Sequence, residues 1–290
     1  ARDIHKAVFG EKHSTYATSL NYLAELYHVL GEHTKALPLF LQSRDIYKAV
    51  FGEKHFYYAR SLNNLALLHR AKGEYAKALP LLLKAGEIAK AVLGEKNPDY
   101  ASFLNNLAEL YRLQGEYAKA LPLYQQSRDI LKATVGEKHP SYATSLNNLA
   151  ELYRLQGEYT KALPLYQQSS DIHKAIVGKE HPRYAFSLNN QAALYRLRGD
   201  YAKALTLYQQ SRSIFKATLG EGHPRYARLL NNLAELYQAQ GQIGKAVTLC
   251  LQARDSCKAA VGEKHPDYAN ALGFLAGLYR AQGDSANALS

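Results

Sequence analysis

The sequence predicts an all-α solenoid, about seven copies of one helix pair stacked side by side. Three observations predict it. Glycines stand at Gly10, Gly52, Gly94, Gly136, Gly178, Gly220 and Gly262, and again at Gly31, Gly73, Gly115, Gly157, Gly199, Gly241 and Gly283, every step being 42 residues. Between the glycines, apolar residues recur at helical spacing. The loop written GEKHP at 136–140 returns in near copies at 52–55, 94–98, 178–182, 220–224 and 262–266. A length of 290 residues would by itself suggest about two domains. The unbroken period, with no shift in composition and no linker, predicts one array over 1–290 instead.

Each element follows from the unit at Pro140–Gly178. Pro140 suits a first helical position, where its missing N–H costs nothing. The next residues, SYATSLNNLAELYRLQ, carry Leu146, Leu149, Ala150 and Tyr153 on one helical stripe. Gly157 ends that helix, because only glycine takes a positive φ without strain. The second helix is EYTKALPLYQQSSDIHKAIV, with Tyr159, Ala162, Leu163, Tyr166, Ser169, Ile172 and His173 on its inner side, and Gly178 stops it. Pro164, like Pro38, Pro80 and Pro122, lies near the start of that helix, so a slight kink and no break is expected. Two such helices cannot bury both stripes alone, whereas stacked units make a continuous core. The 23 tyrosines recur at unit positions such as Tyr111, Tyr153 and Tyr195, or Tyr117, Tyr159 and Tyr201, and read as packing knobs.

Composition bounds the function. The chain carries 36 basic and 25 acidic residues, a net charge of +11. The excess favours an acidic partner, but it is spread thinly, with no run of like charge and no continuous basic track, which argues against nucleic acid. No apolar run approaches the roughly 20 residues of a membrane span. Cys250 and Cys257 lie about 10.5 Å apart along one helix, too far for a disulfide. They read as core residues of a protein in a reducing, cytoplasmic compartment. No CxxC, HExxH, GxSxG or phosphate loop occurs, so no enzyme and no cofactor is expected.

The pattern Leu146-x2-Leu149-Ala150-x2-Tyr153, then Gly157, Tyr159 and Ala162-x3-Tyr166, resembles the tetratricopeptide repeat over essentially the whole chain. Leu146 stands where that family usually has Trp, and Lys174 where it usually has the closing Pro. The period of 42 exceeds the usual ~34. The long form, with HPxYAxSLNNLAxLY, is similar to the repeats of kinesin light chain and of many bacterial repeat proteins. The resemblance implies a right-handed superhelix whose first helices line a concave groove that binds protein or peptide segments.

On that side stand Thr144, Asn147, Asn148, Glu151 and Leu155. The resemblance therefore assigns the groove to the asparagine pairs Asn63/Asn64, Asn105/Asn106, Asn147/Asn148, Asn189/Asn190 and Asn231/Asn232. An asparagine amide both donates and accepts, so it can bracket a peptide backbone whatever its side chains. In related repeats the asparagine matching Asn148 holds peptide backbone or a terminal carboxylate. Arg60 and Arg228 stand one turn before Asn64 and Asn232, and Arg70, Arg112, Arg154 and Arg196 lie near the edge, where a guanidinium suits a carboxylate. The alternative is that the pairs bridge neighbouring units and bind nothing. Tyr22, Phe186, Gly273 and Phe274 break the pattern.

The histidines His13, His55, His139, His181, His223 and His265, with Asn97 in the third slot, recur before the first helices. Stacked units hold them about 10 Å apart, so one metal cannot use two, and a cap or loop role is expected. Glu109, Glu151 and Glu235 are expected to meet solvent or neighbouring arginines. Ala1 occupies the unit position of Ser43, and Ser290 that of Pro164, so both ends read as cut in mid-helix. Such ends are expected to stack head to tail, a structural alternative to ligand binding.

Overall fold

A computed structural model of the chain describes residues 2–263, 266–281 and 283. The elements among them are fourteen α-helices with no strand. They run α1 (Arg2–Phe9), α2 (Ser14–Val29), α3 (His33–Phe51), α4 (Phe56–Ala71), α5 (Tyr75–Leu93), α6 (Pro98–Leu113), α7 (Tyr117–Thr134), α8 (Pro140–Leu155), α9 (Tyr159–Val177), α10 (Pro182–Leu197), α11 (Tyr201–Leu219), α12 (Pro224–Ala239), α13 (Ile243–Val261) and α14 (Pro266–Ala281). The short helix α1 packs on α2. Ala1, His265 and Ser290 lie outside the described residues.

The chain forms two bodies, Ala1–Leu152 and Tyr153–Ser290. In the N-terminal body each helix from α2 to α7 packs on the next, and the first helices α2, α4 and α6 also touch one another. In the C-terminal body the same holds from α9 to α14, with α10, α12 and α14 in contact. A first helix is therefore covered by its own second helix and by the first helices beside it.

Close approach inside a pair comes from small residues. Ala17, Ala101 and Ala185 are fully buried in the first helices, beneath the buried serines Ser43, Ser127 and Ser211 of the second. Each serine Oγ donates to the alanine carbonyl at 2.8 Å, satisfying both buried groups at once. Tyr124 and Tyr208 fill the largest spaces and are fully buried. Tyr111, Tyr153 and Tyr195 are only half-buried, and lysines Lys119, Lys161 and Lys203 lie over their rings at 5.4–5.5 Å. Helices α3, α5, α7 and α9 run through their prolines, each in the second turn, where the missing donor costs one bond.

The histidines cap the first helices. His13, His55, His139, His181 and His223 each accept, through Nδ1, the N–H two residues on, and Asn97 does the same through its side-chain oxygen. Cys250 and Cys257 are buried free thiols, and burial pushes the Cys250 thiol up to about 12.

His173 stands where other units have Leu131 and Phe215, and where the first unit has His5. It is buried, with Nδ1 at 2.8 Å from Ser187 Oγ, and burial, then Arg183 and His181, hold its pKa below the ordinary value. The native state therefore favours the neutral ring. Its stabilising contribution is complete above the ordinary histidine range near pH ~6.5 and is lost as pH falls through the lower native pKa. Melting temperature is expected to fall between pH 7 and 5, and His173→Phe to flatten that fall. An unchanged slope in the variant would sink the assignment.

Candidate functional site

The asparagine pairs lie at the seams between neighbouring first helices. The second asparagine of one unit donates through Nδ2 to Oδ1 of the first asparagine of the unit before. Asn64 reaches Asn21 at 3.0 Å, Asn106 reaches Asn63 at 2.9 Å, Asn148 reaches Asn105 at 2.8 Å and Asn232 reaches Asn189 at 3.0 Å. The bonds form a ladder because each first helix sits beside the next at an offset of one unit.

The two members of a pair differ in exposure. Asn63, Asn147 and Asn189 are buried, at 5–8% exposure, so they do not open onto a groove as expected. The reason is that the first helix is covered on two sides, and the seam closes over this position. Asn105 and Asn231 are half-buried, as are Asn64, Asn106, Asn148, Asn190 and Asn232. Asn64 also donates to Glu25 at 2.9 Å and accepts from Asn63, whereas at Asn106 and Asn148 the ladder uses one N–H and leaves the carbonyl oxygen and another N–H for other partners. Asn147 and Asn190 also make interactions of their own.

The ladder stops at the last described first helix, where Phe274 takes the donor's place. Asn231 Oδ1 is then buried without a partner. Asn189→Ala strands the Asn232 donor and is expected to cost about 1–3 kcal/mol, whereas Asn231→Ala loses no such bond and should cost under about 0.5 kcal/mol. Equal losses in chemical unfolding would refute the ladder.

The arginines serve different ends. Arg60 is half-buried, with its guanidinium 5.0 Å from the centre of the Tyr57 ring, a cation–π contact. Arg228 is exposed and engaged in its own interactions. Arg112 grips Glu109 with two bonds of 2.7 Å, and Tyr124 OH donates to the same carboxylate at 2.6 Å. Burial pushes the Glu109 carboxyl up, but the Arg112 and Tyr124 hydrogen bonds outweigh it and hold it below the usual range. Arg70 also faces Glu109, and burial lowers its pKa. In the C-terminal body Arg196 bonds Glu235 of the next unit at 2.5 Å. Burial pushes the nearby Tyr208 hydroxyl up to about 12.

A small pocket of about 220 Å³ opens between α6, α7 and α8, within the N-terminal body. Asn105 and Asn106 line it with the hydroxyls of Ser102, Ser127, Thr144 and Ser145. It carries neutral donors and acceptors and no charge, which suits peptide groups rather than ions. Sequence spacing alone could not find it, since three helices build it. Among the described residues no three metal-ligating side chains come together. No described helix is long and apolar enough to cross a membrane.

The tetratricopeptide repeat model matches residues 15–91, 57–133, 99–175, 141–217, 183–259 and 225–290. Among solved structures, the putative kinesin light chain with nearly identical TPR-like repeats from Podosopora anserina is 27% identical, covering 71% of this chain and 98% of its own, with a TM-score of 0.58. BtubC (BKLC) from P. vanneervenii is 23% identical over 82% of this chain and 92% of its own, at 0.60. A Rap protein complexed with Competence and Sporulation Factor is 13% identical over 92% of this chain and 75% of its own, at 0.59. Comparison with curated proteins gives no match.

Proposed function

Because the chain belongs to the tetratricopeptide repeat family, whose arrays typically serve protein–protein interaction, we propose that it is a non-catalytic scaffold binding peptide segments along its first helices. The observation that carries the reading is the half-buried pair Asn106 and Asn148, each with hydrogen-bonding capacity left over by the ladder. The hydroxyl-lined pocket at Asn105 and Asn106 adds partners for a peptide backbone. The net charge of +11 favours acidic segments, with Arg60 and Arg228 meeting their carboxylates. The Rap structure is named for its complex with Competence and Sporulation Factor, a precedent for ligand binding on such a fold.

A titration against short acidic peptides, some with a central Trp or Tyr, tests it. Asn106→Ala and Asn148→Ala should each weaken binding tenfold or more. If the wild type binds nothing, or if both variants bind normally while losing stability, the asparagines are structural only.

Self-association is a second reading, favoured by one observation. Leu26 is 54% exposed, whereas its unit equivalents Leu68 and Leu110 are fully buried. Nearby, Val29 and Leu30 are also exposed, as is Ile4 on α1. Concentration-dependent light scattering that Leu26→Glu abolishes would support it, and a monomer at millimolar protein would end it.

A further inference from the structure

One seam in the C-terminal body departs from the repeat at several positions together. Arginine stands at one place in most second helices, as Arg2, Arg44, Arg128, Arg212 and Arg254. Ser170 replaces it in α9. One unit position in the facing helices holds leucine in every unit except here, where Gln191 stands in α10.

The other units show what the arginine does. Arg128 and Arg254 bond the aspartate beside them, Asp129 and Asp255, through Nε at 2.8 Å. Arg212, followed by Ser213, instead reaches across the seam and donates through Nε to Tyr226 OH at 3.1 Å. At the α9–α10 seam both acceptors remain, as Asp171 and Tyr184, and the guanidinium is gone. Tyr226 is 2% exposed, but Tyr184 is only half-buried. Burial, then the Asp171 charge, pushes the Tyr184 hydroxyl up, consistent with the two groups facing one another.

The vacated space is a pocket of about 440 Å³ between α9, α10 and α11. Its lining includes Ser170, Asp171, Tyr184, Gln191, Tyr195 and Gln167. Gln191 is 3% exposed and donates to Gln167 Oε1, and Gln167 donates to Asp171 Oδ1 at 3.1 Å. The buried amide is thereby linked to the carboxylate. Lys203, also lining the pocket, is neutralised by Asp200 at 2.9 Å and lies over the Tyr195 ring. Lys174 lines it too and opposes a second cation. Gly86 also lacks the arginine, but there Tyr100 stays 6% exposed and Glu87 has Lys84 as partner.

We propose that this pocket receives an arginine side chain of a partner polypeptide, whose guanidinium takes the place that Arg212 fills in the next unit. The carboxylate of Asp171 and the Tyr184 hydroxyl accept its N–H groups. Guanidinium is favoured over ammonium because two separate acceptors need a planar, forked donor.

The probe is acetyl-Gly-Arg-Gly-amide, titrated into the full chain with the Tyr184 ring followed by NMR. Lysine and citrulline analogues run beside it. A saturable Tyr184 shift is expected, at least tenfold weaker with either analogue. S170R, which restores the residue used in other units, should keep the melting temperature and abolish the shift. D171N should weaken binding tenfold or more, and K174A should tighten it. The proposal falls if Tyr184 shows no saturable shift, if citrulline binds as well as arginine, or if folded S170R still binds. Should S170R not fold, D171N decides, and unchanged binding there overturns the idea. None of these residues belongs to the asparagine ladder, so failure here leaves the groove reading intact.

Discussion

Tyr124→Ala is expected to destabilise the N-terminal body by about 3–5 kcal/mol, the range for removing a fully buried aromatic ring from a close-packed core. Tyr124 is fully buried between the helices of its own unit, and its hydroxyl donates to Glu109 at 2.6 Å. Two losses combine in the alanine variant. The ring leaves a cavity that rigid helices cannot close, and a partly buried carboxylate loses one of its donors. Tyr124→Phe separates them, since it keeps the ring. Its expected cost is about 1.5–3 kcal/mol, the value of a hydrogen bond to a charged group, reduced because Arg112 still grips Glu109. Repeat arrays need not unfold in one step, so the readout is hydrogen exchange of the α6 and α7 amides. Alanine and phenylalanine variants with equal protection would contradict this division of energy.

Ala185→Leu is expected to cost about 1–3 kcal/mol from overpacking, with a further ~1 kcal/mol if the helices part enough to break the Ser211 bond. Ala185 has no exposed surface, and its carbonyl accepts from Ser211 Oγ at 2.8 Å, so α10 and α11 approach closely there. The internal control is Ala269, which holds the same unit position in α14 and is exposed. Ala269→Leu should change stability by no more than about 0.5 kcal/mol. A large loss in both variants would mean that side-chain volume at this position matters for a reason other than helix contact.

Much of the molecule was legible because its chemistry is periodic. The glycine step gave the unit length, and helix bounds such as α9 at Tyr159–Val177 match the expected span to within a residue. The histidine caps were also readable, since capping is local and needs only the next few residues. The asparagines were not. Their helical phase placed both members of a pair on one side, but phase says nothing about how far the neighbouring helix covers that side. Asn63 and Asn106 lie 43 residues apart, and only packing brings them to 2.9 Å. The same holds for the vacant arginine seat. Ser170 is visible as a departure in the repeat, but its loss gains meaning only from the Arg212–Tyr226 contact across a seam.

The sequence by itself determined the family, the helix pair, the period and the capping of each first helix. Those follow from short-range rules, helical spacing, positive φ at glycine and hydrogen bonds to adjacent N–H groups, repeated without interruption. Only the tertiary structure decided which polar groups are spent on holding units together and which are left over. That division depends on distances between helices, because an amide or guanidinium satisfied across a seam and one open to a ligand have the same local sequence.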